Sequence, residues 1–223
     1  MSKKILMIVS NTKEIGPKHR KTGVFLSEAA HPYGEFDDAG YKVDFASLTG
    51  EVPALDGMDE KDEPENAKFL QGAGWGKMQH NTKLADVDVS AYDAIFVSGG
   101  LAPMVDMPEN PLLKKIIAET YERGAVVGAV CHGPVALLNV KLSDGTFLVK
   151  DKNITAFTNE EEENYAKADV PFELETALTD QGAKFDAQTA WASHSIIDGN
   201  LVTGQNPASA GETARNVISL LEA

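Results

Sequence analysis

Apolar residues along this chain fall mostly into short continuous runs, separated by longer stretches with helical spacing. Ile5 to Val9 is uninterrupted and apolar, Tyr41 to Ala46 is a second strand-like run, and Ala94 to Val97 and Val126 to Val130 repeat the signature. Runs of this length without polar alternation predict strands buried on both faces, the mark of a parallel sheet covered by helices. Between them, Gly23 to about Ala39 reads as a helix that Pro32 should kink or divide. Asn110-Pro111 opens a helix through about Arg123, which Gly124 closes. The rhythm predicts an α/β fold with parallel strands and crossover helices.

Later elements are shorter. A helix is expected from about Gly133 to Leu138, strands at Phe147 to Val149 and Ile154 to Phe157, a helix near Phe172 to Gln181, and a strand at Phe185. Ile196 to Val202 is read as a hairpin turning at Asp198-Gly199-Asn200, and Ala208 to Leu221 as a final amphipathic helix. Residues 51–89 break the pattern with acids, prolines and glycines, so an irregular inserted cap or lid is expected there. No repeat or linker divides residues 1–223 into independent domains.

Composition narrows the function classes. The 223 residues carry a formal net charge of −14, a field that opposes nucleic acid and anionic membranes. Lys18-His19-Arg20-Lys21 is too short to reverse that and reads as a solvated loop or pocket rim. The opening Lys3-Lys4 and apolar run are too short, and turn polar too soon, for a signal peptide, and no segment reaches membrane-spanning length. The histidines at 19, 31, 80, 132 and 194 are dispersed, so no metal site is expected. The single cysteine, Cys131, rules out an internal disulfide and suggests a reducing cytoplasm.

Cys131 is also the main chemical signal. It ends the run Ala125-Val126-Val127-Gly128-Ala129-Val130 and is followed by His132-Gly133-Pro134, a strand-to-helix corner of the nucleophile-elbow type. Such a corner exposes the sulfur, and the following helix would stabilise a thiolate. His132 is the neighbouring base candidate. Its backbone N–H, with one from Gly99 or Gly100 at the end of the parallel strand Ala94 to Val97, would form an oxyanion hole. An orienting acid is expected in Thr158-Asn159-Glu160-Glu161-Glu162-Glu163, where Thr158 with Glu161 or Asn159 with Glu162 could cap a helix; spacing does not choose among the glutamates. Glu28, in the first helix, is a second candidate carboxyl.

These residues, with the segments Thr22 to Pro32, Val43 to Ser47, Thr155 to Thr158 and Val202 to Ala210, resemble the ThiJ/PfpI superfamily of class I glutamine amidotransferase-like proteins, in its heat-shock chaperone and glyoxalase III branch. The resemblance implies a flavodoxin-like three-layer sandwich and a cofactor-free enzyme converting methylglyoxal to lactate without glutathione. Carried over by motif, Cys131 is the nucleophile, His132 its partner, Glu162 the acid behind the histidine, and Glu28 the carboxyl beside the sulfur, while a one-residue slip would favour Glu161 or Glu163. It further implies a small dicarbonyl substrate, a homodimer and protein deglycation, and admits a holdase chaperone, a thiol stress sensor or a cysteine peptidase or amidase instead. One departure stands out: where many members of the branch have histidine and glycine after the paired glycines, this chain has Leu101-Ala102, so an altered pocket wall is expected. Trp191 and His194 fall where the branch carries rim aromatics.

Overall fold

The computed structural model describes residues 2–223. A seven-stranded sheet forms the middle layer: β1 (Lys4–Val9), β2 (Lys42–Ser47), β3 (Thr82–Lys83), β4 (Ala94–Val97), β5 (Val126–Val130), β6 (Ser195–Asp198) and β7 (Leu201–Gly204). Their spatial order is β6-β7-β5-β4-β1-β2-β3. All neighbours are parallel except β6 and β7, the expected hairpin, which pairs Ser195 with Gly204 and Asp198 with Leu201. Without the two edge strands β3 and β6, the order is that of a flavodoxin-like doubly wound sheet, whose ligand sites lie beyond the carboxyl ends of the strands.

Strand period explains the two cores. In β1, Leu6 and Ile8 face one side and Ile5, Met7 and Val9 the other, so a fully apolar run supplies both layers. One core holds Ile95, Val97, Val127 and Ala129 with the helix Pro111–Glu122 through Leu113, Ile116 and Ile117. The other packs Phe45, Phe96 and Val130 against α1 (Leu26–Asp38) and the C-terminal helix Ala210–Glu222.

Several elements differ from their sequence expectations. The helix expected from Gly23 begins at Leu26, because Val24–Phe25 first pairs with Leu55–Asp56 as a short parallel ribbon. Pro32 lies inside α1 without dividing it, and burial of Leu26, Ala29, Ala30, Tyr33 and Phe36 outweighs the lost hydrogen bond. Residues 51–89 carry the helices Pro64–Gln71 and Ala73–Gln79 and the edge strand β3, with Phe69 and Met78 buried in the second core. Phe147 to Val149 is no strand: Phe147 makes a single bridge to Lys141 and the chain then turns. Ile154 to Phe157 keeps only Asn153–Ile154 as a strand, paired with Lys184–Phe185. No helix of the described residues is long and apolar enough to cross a membrane.

Candidate active site

The strand β5 delivers Cys131 to the carboxyl edge of the sheet, where its backbone adopts φ 62°, in the left-handed region. That conformation costs a non-glycine residue roughly 1–3 kcal/mol and persists only where the surroundings fix it. Here the Cys131 N–H donates to Gly204 O at 2.9 Å and its carbonyl accepts from the Phe157 N–H at 2.9 Å, so segments on both sides hold the corner. The element that follows is a 3-10 turn, Gly133–Leu137, rather than an α-helix. Its short length leaves little macrodipole, and stabilisation of charge on sulfur falls instead to individual N–H groups.

Those groups come from the two loops expected to supply them. The N–H groups of Gly100 and His132 face the Cys131 sulfur and favour its ionised form. Gly100 has φ 88°, a conformation glycine adopts freely. A side chain at Gly99 would put its Cβ 2.6 Å from Val130 O and 3.0 Å from Cys131 Cβ, and into the carboxyl of Glu28. The pair of glycines thus lets one strand end lie directly against the next.

His132 is fully buried between two partners. Its Nδ1 lies 3.4 Å from Cys131 Sγ and its Nε2 2.7 Å from Glu162 Oε2. With the carboxylate accepting from Nε2–H, Nδ1 is left as the acceptor facing the thiol, the tautomer a general base needs. The ring also packs on Phe157, centroids 4.4 Å apart. Among the consecutive glutamates, the structure therefore brings Glu162 to the histidine. Glu161 is buried too but turns away: it completes a capping box with Thr158 at the start of the helix Asn159–Glu163. Glu163 points outward to Lys167.

Glu28 sits in the first turn of α1, wholly buried, and neither carboxyl oxygen meets a donor at full hydrogen-bonding geometry. Burial pushes its pKa up to about 8, against smaller opposing effects of the Cys131 thiol and the Gly99 and Gly100 N–H groups; nearby Asp56 raises it further. Burial, and then the Glu28 charge, push the Cys131 thiol up as well. Two negative charges so close in an apolar pocket are strongly disfavoured, so the pair titrates as a unit. The carboxyl, near 8, gives up its proton before the thiol, which burial holds well above its ordinary value, so the sulfur keeps its proton until a base takes it.

The space above the sulfur is a cavity of about 50 Å³ lined by Phe25, Gly100, Phe157, Tyr165, Trp191 and Pro207 together with Glu28, Cys131 and His132. That is far below the roughly 300–1,000 Å³ of ordinary ligand pockets. Of the aromatics, Trp191 was the one expected at the rim; Phe25 ends the short strand Val24–Phe25, and Phe157 and Tyr165 lie in irregular segments. Leu101 does not line this space, contrary to the expectation of an altered wall: it is buried in the core on the other side of the sheet. His194 is also outside it, bonded to Asp186. Arg20, in the basic tetrapeptide, donates to the Tyr165 carbonyl at 3.0 Å and stacks over its ring, which makes that stretch a support for the rim.

A larger cleft of about 700 Å³ lies elsewhere, between α1, the helix Pro64–Gln71 and the C-terminal helix. There one histidine meets two carboxylates, for His31, Glu63 and Glu65 bring ligand-type atoms within 4.8 Å of one another. Glu63 is already engaged, accepting from the Asn66 N–H as the helix cap and facing His31 at 3.3 Å.

Fold and site together define an α/β protein with a cysteine-histidine-glutamate array at a strained elbow and a second, protonatable carboxyl beside the sulfur. The DJ-1/PfpI family model matches residues 21–220, and the chain belongs to that family. Among its relatives, Glyoxalase 3 of Candida albicans is 32% identical, with 100% of this chain and 99% of that protein covered. The glutathione-independent glyoxalase HSP31 of Saccharomyces cerevisiae is 34% identical over 99% and 98%. The crystal structure of glyoxalase III from Candida albicans superposes with a TM-score of 0.87 at 31% identity, covering 98% of this chain and 97% of that one.

Proposed function

We propose that this protein is a glutathione-independent glyoxalase that converts methylglyoxal to lactate at Cys131. The observation that carries the reading is the array itself: Cys131 Sγ, His132 Nδ1 at 3.4 Å, and Glu162 at 2.7 Å from Nε2, beside a buried Glu28 with a pKa of about 8. Relatives matched nearly end to end and bearing that activity in their names support it.

The chemistry follows from these groups. His132 Nδ1 takes the thiol proton as Cys131 attacks the aldehyde carbon, and the oxygen of the resulting hemithioacetal collects charge near the Gly100 and His132 N–H groups. Glu28, or His132, then removes the proton from the former aldehyde carbon and returns one to the neighbouring carbon through an enediol. A carboxyl whose pKa lies near the working pH suits both halves of that transfer. The product is a Cys131 thioester of the 2-hydroxy acid, which water cleaves to lactate and free thiol. One carbon is oxidised and its neighbour reduced within a single molecule, so the balance closes without an external redox partner.

The remaining expectations belong to the same reading. A cavity of about 50 Å³ suits a small dicarbonyl better than a peptide, which ranks a cysteine peptidase or amidase below the glyoxalase. Among the described residues only six large apolar side chains are exposed, Val52, Met58, Val105, Leu112, Trp191 and Ile197, which gives the holdase alternative little support. We take the chain to act as one domain with 51–89 as its cap. Pairing of Leu55–Asp56 with Val24–Phe25 supports that role, because it brings Asp56 within electrostatic reach of Glu28. A homodimer is the state the family resemblance suggests, and a reducing cytoplasm the compartment the single cysteine suggests.

The test is an assay free of glutathione that follows methylglyoxal loss and lactate gain together. Stoichiometric lactate is expected; methylglyoxal consumed without lactate, or not consumed, overturns the reading.

A further inference from the structure

Glu161 takes no part in the array just described, yet it is wholly buried and carries five hydrogen bonds. Its Oε2 accepts from the Thr158 N–H at 2.9 Å and the Thr158 hydroxyl at 3.0 Å. Its Oε1 accepts from the Trp191 N–H at 2.7 Å, Gln205 Nε2 at 3.1 Å and Asn206 Nδ2 at 2.8 Å. No cation is among these partners. A carboxylate so far from water is costly unless donors replace its hydration, and here they come from three separate segments of the chain.

The same two amide side chains continue the network to either side of Trp191. Gln205 exchanges hydrogen bonds with the Gln188 backbone, accepting from its N–H at 2.9 Å and donating to its carbonyl at 3.2 Å. Asn206 Nδ2 also donates to the Ala192 carbonyl at 2.8 Å. The loop over residues 188–192 is therefore stapled before, at and after the tryptophan. Trp191 itself has φ 67°, which a bulky side chain adopts only when held there. Its indole stands edge-on to Phe157 at 5.5 Å and Tyr165 at 6.0 Å and lines the cavity above Cys131. With the residue 47% exposed, packing covers only part of the ring, and the backbone staple must set its place. Pro207, another wall of the cavity, follows Asn206 directly.

We propose that Glu161 is a positioning residue that sets substrate size: by fixing Trp191 as the outer wall over Cys131, it restricts the site to 2-oxoaldehydes with small alkyl substituents and excludes aryl ones. The proposal rests on the dicarbonyl reading for its substrate class. The wall itself is testable without turnover.

Because Cys131 is the only cysteine, its alkylation reports access directly. The experiment compares iodoacetamide with a bulky aryl maleimide on the full chain, and methylglyoxal with phenylglyoxal as substrates, for wild type, Glu161→Gln and Trp191→Ala. Both variants are expected to raise the maleimide-to-iodoacetamide rate ratio, and the phenylglyoxal-to-methylglyoxal ratio of kcat/KM, by at least about tenfold, the lower end of what a pocket contact contributes to discrimination. In a Trp75→Phe background, Glu161→Gln should red-shift the emission of Trp191 and make it more quenchable by iodide. Should Glu161→Gln not fold, Asn206→Ala and Trp191→Ala carry the test. Unchanged ratios in Trp191→Ala, or unchanged emission in folded Glu161→Gln, overturn the proposal. If alkylation ratios shift while no protein, wild type included, turns over either aldehyde, the wall stands and the dicarbonyl reading falls.

Discussion

Replacing Glu28 by glutamine should flatten the dependence of stability on pH, by an amount the buried site fixes. Glu28 is wholly buried, and burial raises its pKa from 4.5 to about 8. Between those values the folded protein keeps a proton on this carboxyl that the unfolded chain has released. By linkage, the contribution of Glu28 to stability is intact below about pH 4.5 and is lost as pH rises toward 8, at about 1.4 kcal/mol per pH unit. From pH 5.5 to pH 7.5 that amounts to about 2–3 kcal/mol, which the glutamine variant does not lose. Its absolute stability also reflects the added buried amide donors, so the diagnostic quantity is the change in the difference between the two proteins. Urea unfolding of both at pH 5.5, 6.5 and 7.5, with all other groups shared, isolates it. Parallel stability curves would show that Glu28 is ionised in the folded state at neutral pH and would refute the argument from burial.

Other consequences are equally specific. Glu162→Gln sets an amide against His132 Nε2 and no longer selects the tautomer with a free Nδ1; kcat should fall by roughly 10²–10⁴, with KM changed far less, in steady-state assays. Gly99→Ala forces a Cβ to within 2.6 Å of Val130 O and should destabilise the fold by about 1–3 kcal/mol, read as a lowered urea midpoint at unchanged slope. In the rate profile of the wild type, kcat should rise with an apparent pKa near 8, as Glu28 ionises and can act as the base, and Glu28→Gln should abolish or displace that limb.

What the sequence disclosed, and what it hid, has physical causes. Ile5 to Val9, Ala94 to Val97 and Val126 to Val130 were legible because a strand covered on both faces leaves an unbroken apolar run. The elbow at Cys131 and the paired glycines beside it were legible from local backbone demands. Glu28 was ambiguous because the first five residues of α1 are all buried as it enters the core, which erases the periodicity that separates an inner face from an outer one. The orienting acid could not be chosen by spacing, since Glu161 and Glu162 are both buried, one against Thr158 and Trp191 and the other against His132. The aromatic walls at Phe157 and Tyr165 sit in short or irregular segments, where position depends on long-range hydrogen bonds such as Phe157 N–H to Cys131 O. Residues 51–89 looked irregular because their helices are short and bury only a few side chains each.

The central claim is that Cys131 forms and breaks the bond to the substrate. It is tested most directly by the initial rate of lactate formation from methylglyoxal, without glutathione, for wild type and Cys131→Ser. The hydroxyl keeps the shape of the site but is a far weaker nucleophile at neutral pH. Loss of lactate formation to the level of buffer, in a variant that remains folded, is the predicted result. A Cys131→Ser protein that makes lactate at the wild-type rate would contradict the account.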